Sequence, residues 1–584
     1  MPTYVLGVSA LYHDAAVALV CDGVVVAAVQ EERFSRLKHD ASLPVRSAKW
    51  CLDRAGITAD QVDWLVFYEK PLRKFERILT NAVATFPRSS GAFPRQMRAW
   101  LGDKLWLRGN LCAAFGVRPE RVLFSEHHLS HAASAFYCSP HAEAAILCLD
   151  GVGEWATTSL WRGRGSEIEP VAEVRWPHSL GLYYSAITAH LGFAVNEGEF
   201  KVMGMAAYGV PRFRAEMDPL LHLEPGGGFS IDMDKFSWHW HASEAAGAKL
   251  QAILGPSRFP GTPFTPTAAA GEGSPREVEE CQRYADIAAT AQAQIEEAVL
   301  HLARHAKSTV GGDAICLAGG VALNSVANHR LASEGPFASV WVQPAAGDAG
   351  GALGAALWVW HSVLGNPRGA AMRRADIGRD TPIARSREIL EDLGGRPEDV
   401  GESAPERAAE DLAAGRVIGW MNGRCEWGPR ALGHRSILAD PREAATRDLV
   451  NQRIKYREPF RPFAPSVVAE AADRYFDIPA AAAAPVRFML ATAVVRDEAK
   501  AQLGAVTHVD GSARVQVVDA DSSPEYHRLI TRFGELTGVP VVLNTSFNLK
   551  GEPVVSTPVD AMASFTRSGL DVLYIDGLRV ERPK

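Results

Sequence analysis

The sequence lacks the features that mark several common classes of protein. Its eight cysteines lie singly, without a C-x-x-C pair or the cysteine and histidine spacing of a zinc finger. No apolar run reaches the roughly 18 residues that a membrane-spanning helix needs, and the first residues lack the charged and apolar regions of a secretory signal. We therefore expect buried thiols in a reducing compartment, no membrane association and a cytoplasmic location.

An excess of positive charge is also absent. With 61 basic and 68 acidic residues the formal net charge is −7, so the chain offers no global basic field to nucleic acid. What is present is an ordinary globular composition, with 47% hydrophobic and 22% charged residues over 584 positions. A chain of this length predicts roughly two to four lobes instead of one core.

The first half of the chain has a repeated pattern. Short β-branched segments and turns predict a three-stranded meander over residues 4–9, 16–21 and 24–30. A strand, a glycine-containing turn and a second strand return at residues 144–161, which indicates a duplicated half-domain. After a long predicted helix over residues 278–307, a buried strand from residue 314 breaks into a turn at Gly319 and Gly320. Such a turn leaves backbone N–H groups free to meet phosphate or ribose.

The periodic pattern stops in a polar segment rich in chain breakers at residues 365–382. We place a linker at residues 366–383, between one domain over residues 1–365 and another over residues 384–584. The second domain predicts a separate α/β fold, with strands near residues 417–421, 487–495, 513–518 and 539–543. An irregular segment at residues 255–275 predicts a loop that faces the substrate.

Two histidines at helical spacing are candidate metal ligands. His127 and His131 would project from one face of a helix, about one turn apart. The zinc-protease pattern H-E-x-x-H does not apply, because His128 stands where the glutamate would be. The same spacing is also typical of capping or core histidines.

Two aspartates strengthen the metal hypothesis. Asp150 ends a predicted strand, and Asp348 lies in a glycine-rich turn that opens a helix. Two imidazoles and two carboxylates suit Fe²⁺, Mn²⁺ or Zn²⁺. Each aspartate is equally typical of an Asx-turn or a helix N-cap.

Other polar residues of the first domain permit alternative interpretations. His13 follows the first strand at a turn, where a neutral imidazole could take a proton from a hydroxyl, although turn histidines often have no role. Glu197, Glu199 and Lys201 lie close together before a glycine-rich turn, as an ion pair or a ligand clamp.

The second domain concentrates residues that bind small anions. Guanidinium groups match phosphate oxygens bidentately, and here they recur among glycine, proline and aromatic residues. A solvated basic face is the alternative for any single arginine. The cations are Arg424, Arg430, Arg435, Lys455, Arg457, Arg461 and Arg514, and residues 543–548 add hydroxyl and amide groups after a strand.

Five segments resemble, in the same order, motifs of the bacterial O-carbamoyltransferase family of the nodulation, cephamycin and tobramycin type. They are residues 31–40, 68–77, 127–137, 318–324 and 544–548. The resemblance implies a mixed α/β fold. Its N-terminal domain would be actin-like (ASKHA), duplicated and similar to tRNA threonylcarbamoyl transferase, and its C-terminal α/β domain would be YrdC-like.

The resemblance also implies a two-step reaction. Carbamoyl phosphate and Mg²⁺-bound ATP would give carbamoyl adenylate and pyrophosphate in the second domain, at Arg430, Lys455, Arg461, Arg514, Asn544 and Ser546. The first domain would bind the adenylate at Gly319, Gly320, Asn324 and Asp348. A divalent metal there, expected to be Fe²⁺ with Zn²⁺ or Mn²⁺ as alternatives, would be held by His127, His131, Asp150 and Asp348. His13 would act as the catalytic base. The carbamoyl group would pass to a hydroxyl of a small sugar-like or natural-product acceptor, and AMP would leave.

Two other functions are compatible with the same two folds. One is a tRNA-modifying enzyme of the threonylcarbamoyl type, which the net charge of −7 disfavours. The other is a non-catalytic ATP-binding regulatory protein, which the completeness of both candidate sites disfavours. We expect a monomer or homodimer that binds no nucleic acid.

Overall fold

A computed structural model describes residues 1–102, 104–241, 247–266 and 274–582. The mixed α/β fold predicted from the sequence is confirmed. Part of the predicted substrate-facing loop, residues 267–273, lies outside the described residues. Within the described ranges, no helix is both long enough and apolar enough to cross a membrane.

The first sheet has five strands and begins with the predicted meander. Its strand order is β3-β2-β1-β4-β5; β1, β2 and β3 are antiparallel, whereas β4 and β5 run parallel to β1. The bounds are β1 Tyr4–Ser9, β2 Ala16–Cys21, β3 Val24–Gln30, β4 Trp64–Phe67 and β5 Val122–Phe124. The predicted bounds of all three meander strands are correct.

The second sheet repeats this topology. Its order is β12-β11-β6-β7-β8, with β6, β7 and β8 antiparallel and β11 and β12 parallel to β6. A separate hairpin, β9 and β10, lies between β8 and β11 in the chain. The bounds are β6 Glu143–Leu149, β7 Ala156–Arg164, β8 Glu167–Arg175, β9 Leu221–Leu223, β10 Phe229–Ile231, β11 Ala314–Ala318 and β12 Ser339–Val342. The predicted duplication is therefore present in the strand order.

Helices cover and separate the two sheets. The predicted long helix over residues 278–307 is observed as Pro275–Val310, where Ser274 and Glu277 form a capping box. The longer helices of this half are Val45–Ala55, Pro71–Ala84, Phe93–Gly102, Leu107–Phe115, His127–Cys138, Leu180–His190, Glu199–Ala206, Ala248–Leu254, Pro275–Val310, Ser325–Glu334 and Asp348–Trp358.

Two of these helices cross between the sheets with their backbones in contact. Helix His127–Cys138 follows the last strand of the first sheet, and helix Asp348–Trp358 follows the last strand of the second. At the crossing, a Cβ added to Gly354 would lie 1.8 Å from the carbonyl oxygen of Ser130. Only glycine permits this approach, which sets the positions of both helix N-termini.

The C-terminal part forms a mixed sheet of eight strands with helices on both faces. Its order is β13-β23-β22-β14-β15-β21-β16-β20, and β17-β18-β19 form a small second sheet. The strands are β13 Glu398–Asp399, β14 Ile418–Met421, β15 Arg435–Ala439, β16 Ala464–Val468, β17 Phe476–Asp477, β18 Ala493–Val495, β19 Ser512–Ala513, β20 Gln516–Val518, β21 Val541–Ser546, β22 Val572–Ile575 and β23 Leu578–Glu581. The longer helices are Ile383–Asp392, Ala404–Ala413, Ala444–Val450, Pro524–Thr537 and Pro558–Arg567.

Two predicted strands of this part are wrong in extent. Residues Pro485–Phe488 form a 3₁₀ turn that ends at Met489 with φ 55°, so the strand predicted at 487–495 begins only at Ala493. The strand predicted at 513–518 is interrupted at Arg514, because β19 pairs in the small sheet and β20 in the large one. Arg514 therefore lies where the chain passes from one sheet to the other.

Residues 365–382, where the linker is predicted, contain no helix or strand in the described structure. Their backbone is hydrogen-bonded to both the N-terminal and the C-terminal part. Met372 N–H donates to Cys138 O at 2.9 Å, and Gly378 N–H donates to Cys425 O at 2.9 Å. Trp427 and Phe460 of the C-terminal part belong to the same hydrophobic core as the N-terminal sheets. The two parts thus pack on each other, and the domain boundary at this segment stays a prediction.

The helix crossing predicts the effect of a methyl group. Gly354→Ala forces a Cβ against Ser130 O, and overpacking of this kind destabilises by about 1–3 kcal/mol. Gly109→Ala is the matched control in helix Leu107–Phe115, where no atom lies within 4 Å of the added Cβ. Helix propensity favours that change by roughly 0.5–1 kcal/mol. Thermal unfolding should show a lower midpoint for Gly354→Ala only; equal midpoints would refute the close crossing.

Candidate functional site

The N-terminal candidate site is built from equivalent positions in the two half-domains. His13 lies in the turn after β1, and Asp150 lies in the corresponding turn after β6. His127 and His131 stand on the first turns of helix His127–Cys138, and Asp348 is the first residue of helix Asp348–Trp358. The crossing helices and the two strand ends therefore bring ligands from both halves to one point.

The four predicted metal ligands converge. His127 Nε2 lies 3.1 Å from Asp150 Oδ2 and 3.1 Å from His131 Nε2. Asp348 Oδ1 lies 3.6 Å from Nε2 of both His127 and His131. All four side chains can offer ligand atoms within 4.8 Å of one another. The helix N-cap alternative does not apply to Asp348, because Gly347 occupies the N-cap position.

The neighbouring charges follow from this crowding. Burial raises the pKa of Asp150, but the imidazoles of His127 and His131 outweigh it and hold that pKa well below its usual range. Burial lowers the pKa of His127, but its hydrogen bond to Asp150 and the nearby carboxylates of Glu69 and Asp348 outweigh burial and hold that pKa well above its usual range. Glu69, directly after β4, lies 3.6 Å from His127 Nδ1 and was missed in the sequence. Outer carboxylates of this kind orient metal-binding histidines.

His128 faces away from the cluster. Its Nδ1 lies 2.7 Å from Ser159 Oγ on β7. Burial and the charge of His127 lower the pKa of His128 to about 3, so its ring is neutral.

The residues present fit a divalent cation. Two imidazole nitrogens only 3.1 Å apart, with two carboxylates beside them, are a donor set that Fe²⁺, Mn²⁺ and Zn²⁺ share. The Nδ1 atoms of His127 and His131 have no hydrogen-bond partner among the described residues, which leaves both rings free to present Nε2 inward.

His13 stands at the edge of this cluster. Its Nε2 lies 3.9 Å from Asp348 Oδ2 and its Nδ1 lies 3.0 Å from Asp14 Oδ2. Burial lowers its pKa, but Asp348 and Asp14 outweigh burial and raise the pKa of His13 to about 9. A cation between Asp348 and Asp150 would offset this field, so the imidazole becomes a usable base when the carboxylates are neutralised.

The glycine turn after β11 touches the metal ligands directly. Gly320 N–H donates to Asp150 Oδ1 at 3.0 Å. Gly319 has φ 89°, and a Cβ there would lie 2.2 Å from Leu149 O, so the residue must be glycine. The Asn324 side chain caps helix Ser325–Glu334 and exchanges hydrogen bonds with Gln292. The predicted adenylate residues thus lie together, with the amide of Asn324 already engaged.

The C-terminal candidate site gathers cations at the middle of the large sheet. Arg430 lies in the loop between β14 and β15, and Arg461 lies in the loop before β16. Burial and Arg461 lower the pKa of Arg430 to about 10. Burial together with Arg430 and Arg457 holds the pKa of Arg514 below its usual range. Arg461 therefore lowers the pKa of both Arg430 and Arg514, as expected where several cations are gathered around one site.

Two of these cations are uncommitted. Arg430 and Arg514 make no hydrogen bond or ion pair within the described part of the chain, and the Nε of each is buried without a partner. Arg461 is half-buried, with Nη1 3.5 Å from Glu458 Oε2. Both side chains are partly exposed, so their outer N–H groups can reach a ligand, and two unpaired guanidinium groups suit an anion.

The other predicted anion-binding residues are engaged within the protein. Lys455 Nζ donates to Asn548 Oδ1 at 3.0 Å and to backbone carbonyls of Ser546 and Asn548. Asn544 is buried and donates to Ala431 O at 3.2 Å, next to Arg430. Ser546 Oγ donates to Asn548 Oδ1 at 2.6 Å. These side chains brace the loops around the cations.

The segment predicted to form an ion pair or a ligand clamp makes one ion pair with the C-terminal part and one within the N-terminal part. Lys201 Nζ lies 2.9 Å from Glu458 Oε1, and Glu197 pairs with Lys38. Glu199 accepts hydrogen bonds from Asn196 N–H and Ser185 Oγ. Glu458 was not predicted from the sequence, where its only signal is its place between Lys455 and Arg461.

Two protein-family models match this chain. The carbamoyltransferase N-terminus matches residues 4–357, and the carbamoyltransferase C-terminus matches residues 409–582. The chain belongs to the carbamoyltransferase family, as the sequence motifs predicted, and is a carbamoyltransferase enzyme.

Three relatives illustrate the range of the family. An uncharacterized protein of Synechocystis sp. is 45% identical over 98% of this chain and 96% of its own length. Nodulation protein NolNO of Sinorhizobium fredii is 38% identical over 98% of this chain and 79% of its own. The 3'-hydroxymethylcephem-O-carbamoyltransferase of Streptomyces clavuligerus is 38% identical over 43% of this chain and 45% of its own.

The cluster geometry predicts that His131 is needed for metal binding and that His128 is not. His131→Ala should weaken metal binding by about 100-fold or more, since loss of even an outer partner of a ligand costs about 10–100-fold. His128→Asn is the control, because His128 faces Ser159 and an asparagine nitrogen or oxygen can replace its Nδ1. Elemental analysis after dialysis against a weak chelator measures both. Equal metal content in the two variants would contradict the assigned cluster.

Proposed function

We propose that the enzyme carbamoylates a hydroxyl group of a small sugar-like or natural-product acceptor, in two steps at two sites. The observation that carries the proposal is the pairing of an anion site with a metal-ligand site in one chain. Arg430 and Arg514 are uncommitted guanidinium groups in the C-terminal part. His127 and Asp348 belong to the four converging ligands in the N-terminal part.

The first step is activation of the carbamoyl group among the arginines. Carbamoyl phosphate and one water yield carbamate and phosphate. A carbamate oxygen then bonds to the α-phosphorus of Mg²⁺-bound ATP, the bond to the β-phosphate oxygen breaks, and pyrophosphate leaves with carbamoyl adenylate formed. Arg430, Arg461 and Arg514 would hold the phosphate charges, and Lys455, Asn544 and Ser546 would fix the surrounding loops.

The second step is transfer in the N-terminal site. The acceptor oxygen bonds to the carbamoyl carbon, the bond from that carbon to the AMP oxygen breaks, and the hydroxyl proton passes to His13 Nε2. Gly319, Gly320 and Asn324 would place the adenylate beside Asp348 and Asp150. A divalent metal on His127, His131, Asp150 and Asp348, which we propose to be Fe²⁺, would supply positive charge for the departing phosphate.

The relation to known folds supports this division. We propose that the two sheets of one strand order form an actin-like domain, in which nucleotide and metal meet between the halves. The YrdC-like assignment of residues 384–584 rests on the resemblance of the sequence motifs. The N-terminal actin-like domain would then bind the product of the C-terminal one.

One helix contacts both proposed sites. In helix Glu199–Ala206, Phe200 stacks on the Arg461 guanidinium with its ring centroid 4.5 Å from Cζ. Met203 Sδ accepts a hydrogen bond from Ser325 Oγ, directly after Asn324. One helix thus links the two sites, and we propose that the adenylate, which water hydrolyses readily, passes between them without entering bulk solvent.

The proposed reaction predicts separable losses of activity. Arg514→Ala should raise the KM for carbamoyl phosphate by about 10–100-fold, because a charge-assisted hydrogen bond contributes about 1.5–3 kcal/mol. His13→Asn should leave pyrophosphate release unchanged while AMP release to an acceptor is lost. Arg528→Ala, at an exposed ion pair with Glu406, is the matched control for loss of an arginine.

Pyrophosphate release is measured with ATP and carbamoyl phosphate, each alone and together. We expect one pyrophosphate and one phosphate per adenylate, and only when both substrates are present. Absence of carbamoyl phosphate-dependent pyrophosphate release from the metal-loaded enzyme would overturn the proposed first step.

A further inference from the structure

The carboxylate of Asp14 lies between two imidazole rings. Its Oδ2 is 3.0 Å from His13 Nδ1, and its Oδ1 is 2.8 Å from His39 Nδ1. Both carboxylate oxygens are therefore used, one for each ring. Neither Asp14 nor His39 belongs to the four metal ligands or to the proposed adenylate-binding residues.

The backbone builds this arrangement. Asp14 has φ 51°, a left-handed conformation that aspartate tolerates better than most residues. The turn that carries it is bonded to the loop that carries His39, through Leu11 N–H to Ala41 O and Ala15 N–H to Asp40 O, both at 2.8 Å. Two backbone hydrogen bonds thus hold the carboxylate and the second imidazole in register.

The loop of His39 is fixed on its other side as well. Glu32 Oε2 accepts the His39 backbone N–H at 3.0 Å, and Glu32 Oε1 lies 3.1 Å from Arg33 Nη1. Lys38 pairs with Glu197, just before helix Glu199–Ala206. The His39 ring itself is about one-third exposed, with 33% of its side-chain surface accessible.

These hydrogen bonds determine the tautomers. An ionised carboxylate can only accept, so each Nδ1 bonded to Asp14 must carry the proton. In the neutral His13 ring the lone pair is then on Nε2, which faces Asp348 at 3.9 Å. Nε2 is therefore the nitrogen that can accept a proton on the side of the metal cluster. Because His39 Nδ1 is already a donor, Asp14 cannot pass a proton on to it.

We infer that Asp14 is the positioning residue that keeps the His13 Nε2 lone pair on the metal-cluster side, and that His39 anchors Asp14 by occupying its second oxygen. The inference rests on the proposed role of His13 as base. When His13 Nε2 takes the acceptor proton, the Nδ1–H bond to Asp14 persists and the carboxylate stabilises the imidazolium. His39 acts through Asp14 and does not touch the reacting atoms.

The pair of variants at position 39 separates a lost hydrogen bond from a lost ring. The Asn Nδ2 can replace His Nδ1 as a donor to Asp14, whereas Ala cannot. We expect His39→Asn to retain transfer activity and His39→Ala to lose about 10-fold, in the range for outer partners of functional groups. Asp14→Asn has only one acceptor oxygen for two donors, so transfer should fall by about 100-fold or more, with pyrophosphate release unchanged.

The decisive measurement needs no acceptor. Solid-state ¹⁵N spectra of the zinc-loaded full chain labelled only at histidine distinguish the tautomers, and His13→Asn identifies the His13 signals. We expect Nδ1–H in the wild type and in His39→Asn, and a changed His13 signal in Asp14→Asn. An Nε2–H tautomer in the wild type, or an unchanged signal in Asp14→Asn, would overturn the inference.

A metal count tests whether Asp14 and its neighbours bind a cation instead of positioning His13. A separate activity measurement shows whether the proposed reaction itself fails. Two metal ions per wild-type chain and one in His39→Ala would overturn the inference, because Asp14, Glu32 and His39 would then bind a cation themselves. Transfer is followed as carbamoylation of glycerol, the hydroxylated probe. Absence of carbamoyl phosphate-dependent pyrophosphate release counts against the proposed function alone, while the spectra still decide the tautomer.

Discussion

The close crossing of helices His127–Cys138 and Asp348–Trp358 is the constraint on which the N-terminal site depends. Each helix begins at the end of a parallel strand in its own sheet, and each delivers ligands from its first turns. Gly354 lets the backbones touch at Ser130, so the distance between the two ligand-bearing N-termini is set by main-chain contact. Three of the four candidate metal ligands, His127, His131 and Asp348, are therefore placed by rigid helices, and only Asp150 stands in a turn.

The C-terminal site depends instead on electrostatic repulsion between positively charged side chains. Burial and neighbouring arginines lower the pKa values of Arg430 and Arg514, and neither guanidinium group is paired among the described residues, so their charge remains available. Lys455 is satisfied by carbonyl and amide oxygens, and Asn544 supports the chain beside Arg430. A dianion would relieve the repulsion, so part of the energy that binds substrate is stored in the folded protein beforehand.

The sequence revealed the ligands more readily than their supports. His127, His131, Asp150 and Asp348 stand at strand ends or helix starts, which periodicity and glycine turns locate well. The supports depend on pairings between distant positions, such as Asp14 with His39 or Lys455 with Asn548, and spacing carries no sign of them. The break at Arg514 was missed for a related reason, because only tertiary pairing tells that β19 and β20 belong to different sheets.

Helix Glu199–Ala206 belongs to the N-terminal half by sequence and to both halves by contact. Phe200 stacks on Arg461, and Lys201 forms an ion pair with Glu458. Each half of the chain therefore contributes residues to this interface. A natural or engineered hybrid that joins halves from two relatives at residues 366–383 inherits one side of this interface from each parent. The unit of exchange that preserves these contacts is the C-terminal part together with this one short helix.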